Sequence, residues 1–327
     1  MSAATAPVAG LTVRAYRPGD AAAITQLITR ADTADGVPWR VSVEEIESWL
    51  SRHNQNFDPA RDLWLIEADG GAVGYWQVEW VDTTDGPREY RIGCMVDPDW
   101  RRRGIGRWML AEAEAHARQR AAELPSEREH VFGSWQPDVV VGAQELLRRN
   151  GYQPVRYFFD MVRPTLDDIV EYPLPEGLEL RPVSDDQHLQ LWHADVEAFQ
   201  DHWGGFDSSP ERLEEWKRDP KWDPTLFVVA WDGDEIAGGV INEISATENA
   251  AFNRKRGWLA SVFVRRPWRR RGLGRALVAA SLLVFRERGL TSAGLGVDAD
   301  NPTGALRLYE EAGFEVDLRS TAFRKPM

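Results

Sequence analysis

Residues 100–107 read WRRRGIGR, and residues 268–275 read WRRRGLGR. Arginines followed by two glycines one residue apart form a pattern with chemistry in it. Glycine lets a backbone turn left-handed and approach a ligand closely, arginine adds a cationic fork, and a helix starting at such a turn offers amide groups without intrahelical partners. Together they make a nest for a diphosphate. Its members are Arg101, Arg103, Gly104, Gly106 and Arg107 in one copy, and Arg269, Arg270, Arg271, Gly272, Leu273, Gly274 and Arg275 in the other. The turn is not a P-loop, because no Lys-Ser/Thr follows the second glycine, and it lacks the spacing of a dinucleotide fingerprint. A solvated arginine face and a nucleic-acid groove are the competing readings. The net charge of −13, with no basic stripe interleaved with aromatics, argues against nucleic acid as a partner.

These turns must be positioned by a repeated fold. "GLTVRAYRPGDAAAI" at 10–24 resembles "GLELRPVSDDQHLQL" at 177–191, and "LWLIEADGGAVGYW" at 63–76 matches "LFVVAWDGDEIAGG" at 226–239. After each arginine-glycine turn comes a helix ending in Gly-aromatic, "LLRRNGY" at 146–152 and "LYEEAGF" at 308–314. The landmarks recur in one order, 168 residues apart at the tryptophans (100 and 268) and 162 apart at the closing glycines (151 and 313). A fixed internal repeat of this kind reads as duplication. Pro164, Pro173 and Pro175 break the stretch between the copies, so the expected division is a domain over 1–163, a linker over 164–176 and a domain over 177–327.

Each copy reads as strand, one or two helices, hairpin, strand, long helix, strand, helix and closing strand, an α/β layered domain with a mixed sheet. In the second copy the Asp-Gly pair predicts a type I′ hairpin turn, and "WLASVFV" at 258–264 a central strand. The long helix shows apolar residues at Leu273, Leu277, Ala280, Leu283 and Val284 and stops at Gly289. A further helix follows, with Asn301 expected as its cap, Pro302 in its first turn and Gly313 just past its end.

The chain of 327 residues has one cysteine, Cys94, which excludes an intramolecular disulfide and gives no basis for a cysteine-based metal site. The opening "MSAATAPVAG" does not read as a secretory leader, and no apolar run approaches the roughly 20 residues that span a bilayer. The expected setting is cytoplasmic, without a membrane partner.

An Arg-x-x-Gly-x-Gly turn between a strand and a helix, with "NPTGALRLYEEAGF" at 301–314 closing the domain, resembles the GCN5-related N-acetyltransferase (GNAT) superfamily. The resemblance covers nearly the whole chain, once per half, and the tandem form is similar to the mycothiol synthase-like two-domain acetyltransferases. It implies acetyl-CoA as co-substrate, an amine acceptor and no metal. Arg269, Gly272 and Gly274 match the diphosphate signature, Asn301 and Ala305 the closing motif, and Val262, Phe263 and Val264 the strand that pairs with the pantetheine arm. Tyr309 takes the place of the acid that protonates the leaving thiolate; by its residues alone it is equally a core aromatic. Aligning Gly151-Tyr152 with Gly313-Phe314 puts Leu147 in place of Tyr309 and Val139 in place of Asn301. The first half is therefore expected to be non-catalytic, whether or not it still binds coenzyme A, and the second half catalytic.

Trp258 stands where the mycothiol synthase-like enzymes carry a catalytic carboxylate, which leaves the acceptor open. Glu243 and Asp298, at strand ends, are the candidates for taking the amine proton, with His202 a third. Asp201, His202 and Trp203, in "EAFQDHWGGF" at 197–206, are candidates for the acceptor site or, equally, an aromatic helix end packed on the core. The polar segment 245–257 reads as a long loop between strands, a substrate lid or simply a mobile connection. A small-molecule amine acceptor and a monomer or homodimer are expected, and an inert acyl-CoA sensor is the alternative function.

Overall fold

The computed structural model describes residues 8–301 and 304–327; Pro302 lies outside them. In chain order the elements are β1 (Thr12–Ala15), α1 (Ala21–Asp35), α2 (Val43–Leu50), α3 (Pro59–Asp62), β2 (Leu63–Ala68), β3 (Gly71–Asp82), β4 (Arg88–Val96), α4 (Ile105–Glu123), β5 (His130–Pro137), α5 (Val141–Arg149) and β6 (Gln153–Arg163). The order then repeats as β7 (Glu179–Leu180), α6 (His188–Phe199), α7 (Pro210–Arg218), β8 (Val228–Asp232), β9 (Glu235–Glu243), α8 (Ala246–Ala251), β10 (Arg256–Val264), α9 (Leu273–Glu287), β11 (Ser292–Asp298), α10 (Ala305–Glu311) and β12 (Glu315–Pro326).

Two compact units result, and their borders differ from the expected ones. The first comprises 1–156, 209–220 and 320–327; the second comprises 157–208 and 221–319. In the first, the sheet runs β1, β2, β3, β4, β5 and then the end of β12, whose Ser320–Pro326 pairs antiparallel with β5. In the second, Phe158–Arg163 of β6 pairs with β11, followed by β10, β9, β8 and β7. Each sheet is thus completed by a strand from the other half of the chain. Helix α7 likewise joins the first unit, where the Glu215 carbonyl accepts a hydrogen bond from Ser48 Oγ at 2.9 Å. The expected linker is not a free tether: Leu166 is buried in the second unit's core, with Ile169 and Leu174 packed against it.

The hairpins split in type. Asp69 and Gly70 both have positive φ, the type I′ pattern, whereas the second copy places Gly233 first with φ 57 and leaves Asp234 on the ordinary side, as a II′ turn does. Helix α9 stops before Gly289 (φ 74) as expected, but Leu282 and Phe285 are its buried residues in place of Leu283 and Val284.

Candidate functional site

In each unit a parallel strand pair is joined over only part of its length. β4 pairs with β5 only from Arg88 to Arg91, and β10 pairs with β11 only from Arg256 to Leu259. Beyond those points the facing edges of β4 and β10 have no strand partner among the described residues, and one short helical turn (Pro98–Trp100, Arg266–Trp268) leads from each strand to its arginine-glycine turn. Open backbone edges of this kind can pair with an extended amide-bearing ligand. Val262, Phe263 and Val264 line the open edge of β10; Phe263 is buried and the two valines half-buried. The second unit adds a β-bulge: the register between β9 and β10 shifts from Leu259 to Ser261, whereas β4 runs beside β3 without a shift. Bulges bend a strand and redirect side chains, and they concentrate beside active sites.

The turns themselves superimpose in conformation. Arg102 and Arg270 have φ of 62° and 59°, and Gly104 and Gly272 have φ of 83° and 88°. A Cβ on Gly272 would touch nothing within 4 Å, so glycine stands there for its backbone angle and the space above it is open. The second glycine has another reason: a Cβ on Gly274 would lie 3.2 Å from Leu308 Cδ1, and one on Gly106 3.4 Å from Leu146 Cδ2. Closing helices α10 and α5 therefore rest on the first turns of α9 and α4. The first backbone bonds of those long helices run from Ala276 to the Gly272 carbonyl and from Trp108 to the Gly104 carbonyl. The amides of 273–275 and 105–107 precede them and have no intrahelical acceptor.

Not every arginine of the turn is available to a ligand. Arg269 Nε donates to the Val264 carbonyl at 2.9 Å, and its fork binds Asp201 Oδ2 at 2.7 Å and the Ala198 carbonyl at 3.2 Å. In the first unit Arg101 does the same with the Val96 carbonyl and Asp35. These arginines clamp the strand end to the end of the first helix. Asp201 also pairs with Arg266, and the two guanidiniums hold its carboxyl well below the usual range. Asp201, expected as a candidate for the acceptor site, is engaged here as the counterion of the turn's Arg269 and of Arg266. Arg270, Arg271 and Arg275 point outward and are exposed, as are Arg103 and Arg107. Of these, Arg275 pairs with Glu311, Arg271 donates to the Glu176 carbonyl, and Arg103 lies over Trp100. The open αL glycine, unbonded amides and exposed guanidiniums fit the diphosphate of a coenzyme A thioester.

Tyr309, on α10, is buried, and its ring meets Phe314 edge-on at 6.1 Å. Burial raises its phenol pKa above the ordinary value, so the hydroxyl is protonated at neutral pH. Leu147, also buried, occupies the corresponding place on α5. Asn301 does not cap α10. The helix begins at Ala305 after Gly304, whose φ of 78° makes the turn, while the Asn301 carbonyl accepts from the Gly304 amide at 3.4 Å. Ala305 itself is half-buried against the core.

On the acceptor side, His202 packs on Phe199 with centroids 4.2 Å apart, and Trp203 lies 6.1 Å from Phe158. Burial lowers the His202 pKa below its ordinary value, opposed by Asp298, which sits at the end of β11 and accepts from the Asp300 amide at 3.0 Å. Glu243 pairs with Lys221 at 3.4 Å. The segment expected to be a lid is folded: Asn249 brackets the Arg256 backbone with two 2.9 Å bonds, and Trp258 Nε1 donates to Glu248 Oε1 at 2.8 Å. Trp258 therefore fills its place as an anchor for α8.

One carboxyl escaped the sequence reading. Asp195, on α6, is buried, and Ser261 Oγ donates to its Oδ1 at 2.5 Å. Burial pushes its pKa up to about 7, with the serine bond pulling the other way. The signal was available: Asp195 sits on the apolar face of α6 with Leu191, Trp192 and Ala198.

Among the described residues no helix is long and apolar enough to cross a membrane. Comparison with known proteins agrees with the duplicated site. The profile of the acetyltransferase (GNAT) family matches residues 189–314, and that of an acetyltransferase (GNAT) domain matches 59–154. A mycothiol acetyltransferase of Geodermatophilus obscurus is 32% identical over 315 residues, covering 94% of this chain and 95% of the relative. One of Thermobispora bispora is 30% identical over 298 residues, covering 91% and 93%. Among solved structures, a GCN5-related N-acetyltransferase from Sphaerobacter thermophilus is 29% identical with a TM-score of 0.71, over 98% of this chain and 96% of the other. A tandem GNAT protein from the clavulanic acid biosynthesis pathway is 18% identical with a TM-score of 0.70, over 97% and 98%.

Proposed function

Because this chain belongs to the acetyltransferase (GNAT) family and is an acetyl-CoA-dependent N-acetyltransferase, we propose that its chemistry runs in the second unit, on the amine of a small molecule. The observation that carries the reading is the inequality of two matched frames. Both units keep the left-handed turn, the arginine clamp and the opened strand pair, but only the second has a protonated phenol, Tyr309, where the first has Leu147.

Acetyl-CoA supplies an activated thioester. For this chain's own residues four tasks remain: hold, orient, donate one proton and accept another. The amides of 273–275 and the guanidiniums of Arg270 and Arg271 bind the diphosphate, and the open edge at Val262–Val264 orients the arm that runs from it. Tyr309 protonates the departing thiolate, and its raised pKa keeps the proton in place until then. Glu243 and Asp298 are less suited as proton acceptors than the sequence suggested, since a lysine holds one and a backbone amide donates to the other. Burial lowers the His202 pKa, which keeps the imidazole neutral and able to accept a proton, and its aromatic neighbours also suit binding an acceptor. The first unit is read as a scaffold with a retained turn.

The relatives' name makes the deacetylated form of mycothiol the first acceptor to try, with glucosamine, spermidine, an amino acid and a peptide N-terminus beside it. Release of free thiol from acetyl-CoA with one class, and not with the others, identifies the acceptor. An inert sensor would bind acetyl-CoA and release no thiol with any of them.

A further inference from the structure

The β-bulge in β10 falls between the last residue paired with β11, Leu259, and Ser261. It therefore sits where the strand pair begins to open. Ser261 Oγ points toward α6, and there it meets Asp195 at 2.5 Å. Both side chains are nearly buried, with residue exposures of 6% and 4%. Asp195 makes no other side-chain hydrogen bond among the described residues.

A lone carboxyl beneath a sheet is costly, and a structural one is ordinarily neutralised by an arginine or several amides. This one is not. Most of the titratable groups on the elements packed against it are engaged elsewhere. On α6, Glu197 pairs with Arg265 and His188 packs edge-on to Trp222. The remaining titratable group of that helix is His193. On β9, Glu243 pairs with Lys221 and Glu235 approaches Arg265 at 3.6 Å, and on β10, Arg256 approaches Asp317 at 4.0 Å. Burial and Ser261 are the two influences on Asp195.

The first unit lacks the arrangement. Helices α1 and α6 bury residues at the same spacing, Ala21, Ile24, Thr25, Leu27 and Ala31 against His188, Leu191, Trp192, Ala194 and Ala198, so Asp195 corresponds to Ile28. Counting back from Val96 and Val264, Ser261 corresponds to Gly93. Carboxyl, hydroxyl and bulge are present together in the unit that carries Tyr309 and absent together from the other.

We propose that Ser261 and Asp195 form the relay that takes the proton from the acceptor's ammonium group in the second unit. The proposal rests on the reading that acetyl transfer occurs there. Ser261 Oγ receives a proton from the ammonium nitrogen as it passes its own to Asp195 Oδ1. The amine becomes neutral, the hydroxyl is restored and the carboxylate becomes a carboxylic acid; no further reactant enters. Ser261 is the group that touches the substrate, and Asp195 acts through it. A base that titrates near neutral pH is well matched to this work.

The test is the pH profile of kcat/KM with deacetylated mycothiol and glucosamine as amine probes, for wild type, Asp195→Asn, Ser261→Ala and Tyr309→Phe, with acetyl-CoA binding measured directly. In wild type the rate should rise through a limb near pH 7. Asp195→Asn should lose that limb and about 10²-fold in rate at pH 7, with acetyl-CoA binding unchanged. Its deficit should shrink at high pH, where the amine deprotonates unaided. Ser261→Ala should share this signature, which carries the test if Asp195→Asn does not fold. A retained limb at full rate, or a deficit equal at every pH, overturns the relay. If Tyr309→Phe is inactive while both relay variants match wild type, the relay alone falls. If wild type acetylates neither probe nor any other amine, the functional reading falls and the relay with it.

Discussion

Replacing Gly272 by alanine separates the geometry of the turn from its contacts. Gly272 has φ 88° and nothing within 4 Å of its Cβ position, so the new methyl group meets no atom and the whole penalty is backbone strain. A left-handed alanine costs about 1–2 kcal/mol. If the fold keeps the turn, that strain lowers Tm by about 2–8 °C for a unit of this size. If the turn relaxes, the strain returns when the ligand forces it back, as a KM for acetyl-CoA about 5–30-fold higher. The two effects share one ceiling, so a small Tm loss should accompany a large KM change. Gly104→Ala is the matched control, with φ 83° and equally open space in the first unit. It should draw on the same strain without raising KM. Differential scanning calorimetry and steady-state kinetics on the pair decide the matter. An unchanged Tm and KM for Gly272→Ala would refute the strain argument, and an equal KM rise in Gly104→Ala would refute the division of labour between the units.

Asp201→Asn removes the anion that holds Arg266 and Arg269, a partly exposed arrangement worth up to about 1 kcal/mol; KM for acetyl-CoA should rise by no more than about fivefold while kcat holds. For Asp195 the sign follows from a raised folded pKa: the folded protein binds that proton more tightly than the unfolded chain, so this group's contribution to stability is fully present below pH 4 and is lost as pH rises to about 7. Asp195→Asn should flatten that decline, worth roughly 4 kcal/mol at most, in urea melts at pH 5 and pH 8. Gly294→Ala would set a Cβ 2.7 Å from the Trp258 ring and should destabilise the second unit by about 1–3 kcal/mol, read from the urea midpoint.

Much of this site was legible in sequence because its parts are local. The repeated arginine-glycine turn carries its own backbone instructions, and the strand before it and helix after it follow from periodicity. What was illegible depends on pairings between distant residues. Arg269 and Asp201 are 68 residues apart, so sequence showed neither that the arginine clamps the strand end nor that the acid is its counterion. The start of α10 was misjudged because Asn301-Pro302 reads as a cap and first turn, whereas Gly304 takes the left-handed angle that fixes the helix start. Unit borders were missed for a topological reason: strands 157–163 and 320–326 complete the sheet of the other half, and no local pattern states which edge a strand will join. Asp195 was hidden by type, since an acid on a helix is ordinarily assigned to solvent until its apolar neighbours are counted.

Tyr309 is the residue proposed to make the second unit the catalytic one. Tyr309→Phe keeps the ring that packs on Phe314 and removes only the hydroxyl, and with it the proton donor. Thiol release from acetyl-CoA, measured beside direct acetyl-CoA binding, should fall by about 10²–10⁴ in kcat with binding unchanged. Full turnover in the variant would contradict the account.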